Sequence, residues 1–134
     1  MWSIFGRKEK VPNLKAGRGF TAPVVGTANF QGSLLKVAGG RKTEDGANID
    51  VTATLIPEPS NAFDKNAIAV FIGGAQVGYL AKEQAAIIAG FLSKQGLPKA
   101  NCPARVVGGW LRDDGDEGHF GVKVSLSSSP KLAE

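Results

Sequence analysis

The sequence predicts a small, mainly β domain with one main helix, and three observations support this fold class. The chain has 134 residues, the usual length of a single domain. Eighteen glycines and seven prolines against ten aromatic residues indicate many tight turns between short elements, which is more typical of small barrels than of helical bundles. From residue 21 onward, short apolar runs alternate with turn residues, and one stretch has helical periodicity. We therefore expect a β-rich α+β domain with about six strands.

The first part of the domain is predicted to be extended. Val24–Val25 ends at a glycine and Leu34–Ala38 ends at a glycine pair, as short strands bounded by turn residues do. Ile49–Ile56 alternates apolar and polar side chains with the period of a half-buried strand. Pro57 and Pro59 then end it, because proline has no amide proton to donate to a neighbouring strand.

A tight hairpin and the main helix follow. Ala67–Ile72 and Ala75–Leu80 flank two glycines that can both adopt positive φ, as a two-residue hairpin turn requires. Ala81–Gln95 carries its apolar residues on one side, and Gly96 is expected to end this helix. Gly90 costs helix stability relative to alanine, so we expect another backbone segment to pass close to it.

Two further strands complete the predicted domain, which spans residues 21–128. Cys102–Leu111 and His119–Leu126 are expected to pair across the acidic turn Arg112–Gly118. The last residues, 129–134, are expected to form a frayed tail.

The charge of the chain is concentrated at its start. Residues 1–20 hold five of the sixteen basic residues and one of the twelve acidic residues, so residues 21–134 hold eleven of each sign. We interpret residues 1–20 as a flexible basic arm that could attract nucleic acid. Trp2 and Phe5 precede its cations, which is the reverse of a signal peptide, and no apolar run reaches the roughly 18 residues of a membrane span. A cytoplasmic protein is expected. An interfacial membrane anchor at these two rings is a disfavoured alternative to their docking on the domain or on a protein partner.

No catalytic or metal-binding pattern stands out, so we expect neither an enzyme nor a cofactor. Cys102 and His119 are single residues of their kind, and a zinc site would need carboxylates to complete it. The acids of the Arg112–Gly118 turn do not have the spacing of a calcium loop. The chain also lacks the glycine fingerprints that bind nucleotide phosphates.

The segment 57–70 concentrates polar side chains in a turn that enters an apolar strand. Asp64 and Asn66 could simply cap this turn through their own backbone. That role does not explain Phe63, whose large ring lies between turn-forming residues. The ring either plugs the end of the barrel or forms a platform on which a nucleic-acid base stacks.

Three motifs in order resemble the HIRAN domain family. They are VVGTANFQG (24–32), EPSNAFDKNAIAV (58–70) and VGYLAKEQA (77–85), and the middle one is the most specific. HIRAN domains occur at the N-terminus of helicase-like transcription factors and as stand-alone bacterial proteins. The resemblance implies an OB-like, partly closed small barrel. It also implies a non-catalytic module that recognises single-stranded DNA or its free 3′ end.

The resemblance assigns six residues of this chain to the DNA site. They are Phe30, Asn61, Phe63, Asp64, Tyr79 and Lys82. By this likeness aromatic rings surround the terminal bases, the aspartate accepts a hydrogen bond from the 3′-hydroxyl, and the lysine binds a phosphate. A carboxylate also repels a 3′-phosphate, so end selectivity is chemically reasonable.

This chain departs from the family pattern at two positions. Ala28 and Asn29 stand where end-binding members carry an arginine and a tyrosine, which removes a phosphate contact and a stacking ring. Weaker DNA binding is expected. The alternative is a protein interaction or assembly module that keeps the fold without the DNA pocket. The sequence leaves the choice between DNA and RNA open.

Overall fold

The computed structural model describes residues 10–133, which form a closed barrel of six antiparallel strands. The strands are β1 (Ala22–Val25), β2 (Ala47–Pro57), β3 (Ile68–Ile72), β4 (Ala75–Leu80), β5 (Ala100–Gly108) and β6 (Phe120–Val124). The helices are α1 (Gln31–Val37), which follows a 3₁₀ turn at Thr27–Phe30, and α2 (Lys82–Gln95). The order around the barrel is β1-β4-β3-β2-β5-β6, and β1 closes it by pairing with β4 and β6. The predicted β-rich barrel is confirmed, and its closure is complete.

The local signals for the hairpin and the main helix are confirmed. Gly73 and Gly74 have φ of +61° and +83° and connect β3 directly to β4. Helix α2 ends at Gly96 in the left-handed conformation (φ +67°), and the Gly96 amide donates to the carbonyl of Ser93 at 3.1 Å. Glycine is required at these turns because a side chain disfavours positive φ.

The predicted strand Leu34–Ala38 is wrong, because this segment belongs to α1. Leu34 is fully buried against the core, and the Gln31 side chain fixes the start of the helix. The Gln31 amide donates to the Phe120 carbonyl at 3.0 Å and accepts from the Phe120 amide at 2.8 Å. A run of five residues has too little periodicity to distinguish helix from strand, and the contact with Phe120 lies 89 residues away along the chain.

The expectation for Gly90 is also wrong. A side chain built at this position meets no atom within 4 Å, and the residue is exposed. Gly90 therefore lowers the stability of α2 without serving a close approach of another backbone.

The barrel interior is filled by the inward-facing residues of every strand. Along β5 and β6 buried and less buried residues alternate, so Ala104, Val106 and Val124 contribute to the core. Helix α2 packs on the core through Ile88 and Leu92, both essentially inaccessible. The candidate site lies beside the paired strands β1 and β4 and the start of α2.

The segment before β1 and the end of the chain contact each other and the barrel. Leu14 is buried, its amide donates to the Asn101 carbonyl at 2.8 Å, and it forms an isolated bridge with Leu132. Part of the segment interpreted as an arm therefore packs on β5. Trp2, Phe5 and the membrane alternative lie outside the described residues. Within residues 10–133, neither helix is long and apolar enough to cross a bilayer.

Candidate nucleic-acid interface

An open groove of about 500 Å³ lies between the loop 58–67, the paired ends of β1 and β4, and the start of α2. Its lining residues are Val25, Asn61, Phe63, Asp64, Ala67, Tyr79, Leu80 and Lys82. The structure thus brings together five of the six residues predicted for the site. Phe30 does not line this groove; it is half-buried at the end of the 3₁₀ turn.

Asn61 organises the loop through its side chain. Its Oδ1 accepts hydrogen bonds from the amides of Phe63 at 2.9 Å and Asp64 at 3.1 Å. Its Nδ2 donates to Glu58 Oε1 at 3.0 Å, and the same oxygen accepts from the Tyr79 hydroxyl at 3.1 Å. Asn61 therefore holds the backbone of its neighbours in place.

Glu58 is the residue that sequence reasoning missed. Its carboxylate connects the loop to β4 by binding both Asn61 and Tyr79. The signal available in the sequence was its position three residues before Asn61, at the start of the most specific motif. The partner on β4 is 21 residues away, so only the sheet register brings it close.

The ring of Phe63 projects into solvent and is 98% exposed. This excludes the barrel plug as its role. A phenyl group this exposed makes little stabilising contact in the folded protein, so its ring is available to a ligand of the groove. The Asn61 side chain fixes the backbone on which the ring stands.

One of the two carboxylate oxygens of Asp64 accepts a hydrogen bond within the protein. Its Oδ1 accepts from the Asn66 amide at 2.9 Å, which confirms the turn-capping role. Within residues 10–133, Asp64 makes no ion pair and its second oxygen has no hydrogen-bond partner. One carboxylate oxygen of the half-buried Asp64 is therefore left to accept a hydrogen bond from a ligand in the groove.

Positive charge enters the groove from the start of α2. Lys82 is the first residue of this helix, is exposed, and has no ion-pair partner in the described part of the chain. No side chain caps the helix there, so the first amides of α2 have no side-chain acceptor within the described residues. Backbone amides and a lysine together favour binding of a phosphate.

The two departures from the family pattern lie just beyond the groove. Ala28 and Asn29 are exposed in the 3₁₀ turn Thr27–Phe30, which begins two residues after the end of β1. Both side chains are short, so this edge offers neither a cation nor a ring.

The remaining candidate groups are used within the fold. In the acidic hairpin, Asp116 is paired with Arg112 and accepts from Trp110 Nε1 at 3.2 Å. The residues described contain no cluster of three or more histidine, cysteine or acidic side chains able to hold a metal ion. Burial raises the pKa of the Cys102 thiol to about 12, so this cysteine is an unreactive core residue.

Comparisons with known proteins agree with the motifs. The family model for the HIRAN domain matches residues 20–107. Among solved structures, the HIRAN domain of human HLTF is similar, with 22% identity over 84% of this chain and 74% of that chain, at a TM-score of 0.34. The comparison with curated proteins found no significant match. Because the family model spans more than half of the sequence, the chain belongs to the HIRAN domain family, a family of nucleic-acid-binding modules.

Proposed function

We propose that the groove binds single-stranded DNA at its free 3′ end, without catalysis. The observation that carries this proposal is the juxtaposition of a fully exposed Phe63 ring and an available Asp64 carboxylate oxygen in one open groove. A ring that stacks on a base and a carboxylate that accepts one hydrogen bond suit a nucleoside whose terminal hydroxyl is free.

Stacking on Phe63 supplies the sequence-independent part of the affinity. Base stacking on an aromatic side chain contributes about 1–3 kcal/mol. Val25 and Tyr79 are register partners across β1 and β4 and form the opposite side of the groove. The Tyr79 hydroxyl is held by Glu58, which orients this ring before a base arrives.

Asp64 supplies the selectivity for the end of the strand. A 3′-hydroxyl can donate to the free carboxylate oxygen, whereas a 3′-phosphate places a second negative charge there. Two unit charges about 4 Å apart repel by about 1 kcal/mol in water and about 4 kcal/mol at an effective dielectric of 20. We expect the preference for a free end to be about fivefold or more, the factor that corresponds to the lower of these two energies.

Lys82 binds the phosphate next to the terminal nucleoside. It lies on the helix start that faces the groove, and its ammonium group makes no ion pair within residues 10–133 that a phosphate would have to displace. Asn61 acts as a positioning residue, because its polar atoms are used by the loop. Phe30 has no contact in this arrangement.

Fluorescence anisotropy tests the proposal with 5′-labelled oligonucleotides that end in a 3′-hydroxyl or a 3′-phosphate. The wild type should prefer the free hydroxyl, and Asp64→Asn should lose most of this preference. Asparagine keeps an oxygen that can accept from the Asn66 amide, so the turn should persist. Equal millimolar binding of both ends by the wild type would refute end recognition. A matched RNA oligonucleotide determines which polymer is preferred.

The second candidate function is a protein interaction module that retains this fold. It is favoured by the balance of eleven charges of each sign in residues 21–134 and by the apolar exposed surface of Val25 and Phe63. Partners captured after nuclease treatment, by both the wild type and the double variant Phe63→Ala, Asp64→Ala, would support this candidate over the DNA-binding groove.

A further inference from the structure

A row of outward-facing residues continues from the groove across the barrel surface. Val25 of β1 lines the groove, and Pro23, the previous outward-facing residue of this strand, is the register partner of Lys123 on β6. Lys123 is in turn the register partner of Arg105 on β5. The exposed and buried residues of β1 and β6 alternate, and this pattern places Pro23 and Lys123 on the outside.

The row has a length suited to an extended strand. From β4 through β1 and β6 to β5 there are three of the six strand spacings around the closed barrel, an arc of about 14 Å at about 4.8 Å each, so a bound strand would curve around the barrel. The register that pairs Val24 with Leu80 places the end of β4, two residues before Lys82, beside β1. In the order β4-β1-β6-β5 around the barrel, Lys82 follows β4, Lys123 lies on β6 and Arg105 lies on β5.

The cations of this row are placed in a way that favours an anionic partner. Lys123 is exposed and makes no ion pair within residues 10–133. It lies directly opposite Arg105, and like charges at opposed positions of a sheet are destabilising unless something compensates them. Asp50 compensates only the arginine, through a contact of 2.6 Å between Arg105 Nε and Asp50 Oδ1.

Arg105 is also held in a fixed orientation. Its guanidinium group lies 4.1 Å from the centre of the Phe20 ring, in addition to its bonds to Asp50. The half-buried Phe20 thus keeps the cation extended along the outer face of β5. A preordered cation loses little entropy when a phosphate binds to it.

We propose that the row Pro23, Lys123 and Arg105 is a second contact surface for the nucleic acid. It holds the phosphates of the nucleotides on the 5′ side of the bound 3′ end. This inference rests on the proposed function of the groove and adds the path of the strand to it. Bound strands would then span at least about four nucleotides, the lower end of the site sizes of OB folds.

Length-dependent binding tests this path. Two oligodeoxynucleotides with a free 3′-hydroxyl are used, a dinucleotide confined to the groove and an octanucleotide that can reach β5. For the wild type the octanucleotide should bind more tightly. Lys123→Glu should weaken octanucleotide binding at least about fivefold and reduce the salt slope by about 0.7 or more, the contribution of one phosphate contact to a single strand. It should leave dinucleotide binding unchanged.

Two further variants sharpen the result. Asp50→Asn removes the acid that offsets Arg105, so octanucleotide binding should become tighter and the salt slope steeper. Lys36→Glu is the matched control, because Lys36 is an exposed lysine of α1 that lines neither the groove nor the row. It makes the same change in net charge and should have a much smaller effect.

The outcomes separate this inference from the proposed function. A length gain that Lys123→Glu leaves intact would overturn the path while the groove remains supported. If Lys65→Glu abolishes the gain instead, the strand runs along α2, because Lys65 lines a cavity with Ala89 and Ser93 of this helix. Equal effects of Lys123→Glu and Lys36→Glu would reduce the row to general electrostatics and refute it. Absence of binding to either oligonucleotide would overturn the groove and the path together.

Discussion

Replacing Phe63 with alanine should separate function from stability more cleanly than any other change in this protein. The side chain is 98% exposed, so its removal deletes almost no contact of the folded state. We expect the free energy of unfolding to change by less than about 0.5 kcal/mol, as for other surface substitutions. Truncation of a buried phenyl group would instead cost about 3–5 kcal/mol.

The loss of binding should be far larger than the loss of stability. If the ring stacks on a base, Phe63→Ala removes about 1–3 kcal/mol, which corresponds to about 5- to 140-fold weaker binding. Urea unfolding and fluorescence anisotropy with the octanucleotide measure the two quantities on the same samples. Phe63→Tyr should restore binding, because tyrosine retains the stacking ring.

Leu111→Ala is the control for loss of an exposed apolar side chain. Leu111 is 48% exposed and lies outside the groove, so its replacement should leave DNA binding unchanged. If the affinity of Phe63→Ala for the octanucleotide lies within twofold of that of the wild type, the exposed ring is not a stacking platform.

Three other predictions concern the scaffold. Gly90→Ala should raise the free energy of unfolding by about 1 kcal/mol, measured by urea denaturation, because the added methyl group meets nothing within 4 Å and alanine favours the helix. Gly78→Ala should lower it by about 1–3 kcal/mol in the same assay, because the new Cβ would lie 2.6 Å from the Val25 carbonyl oxygen in the neighbouring strand. An unchanged midpoint of urea unfolding for either variant would contradict the surroundings described for that glycine. The Cys102 thiol, whose pKa burial raises to about 12, should react with a thiol reagent at neutral pH only after unfolding, and rapid labelling of the native protein would show that this residue is accessible.

The parts of the fold that were predictable depend on local chemistry. The glycine pair at 73–74 and Gly96 require backbone conformations that few other residues adopt, so the hairpin and the end of α2 follow from a few neighbouring residues. The apolar run Leu34–Ala38 has no such signal. It is helical in the structure, and Gln31 at the start of this helix bonds to Phe120, 89 residues away, which local periodicity cannot reveal.

The candidate site was predictable in composition and only partly in geometry. Asn61, Phe63 and Asp64 lie together because they share one short loop. Tyr79 joins them only through the register of β3 and β4, in which it is the partner of Ala69. The role of Glu58 and the distance of Phe30 from the groove both depend on long-range packing, so neither could be read from spacing along the chain.

Titration of the ¹⁵N-labelled protein with the 3′-hydroxyl octanucleotide, followed through backbone amide shifts, tests the central claim most directly. We expect the largest changes in amide chemical shift at Val25, in the loop 61–67 and at residues 79–82. Lys123 and Arg105 should follow as the strand extends across β6 and β5. Shifts confined to other surfaces of the barrel, or no shifts at millimolar oligonucleotide, would contradict binding in this groove.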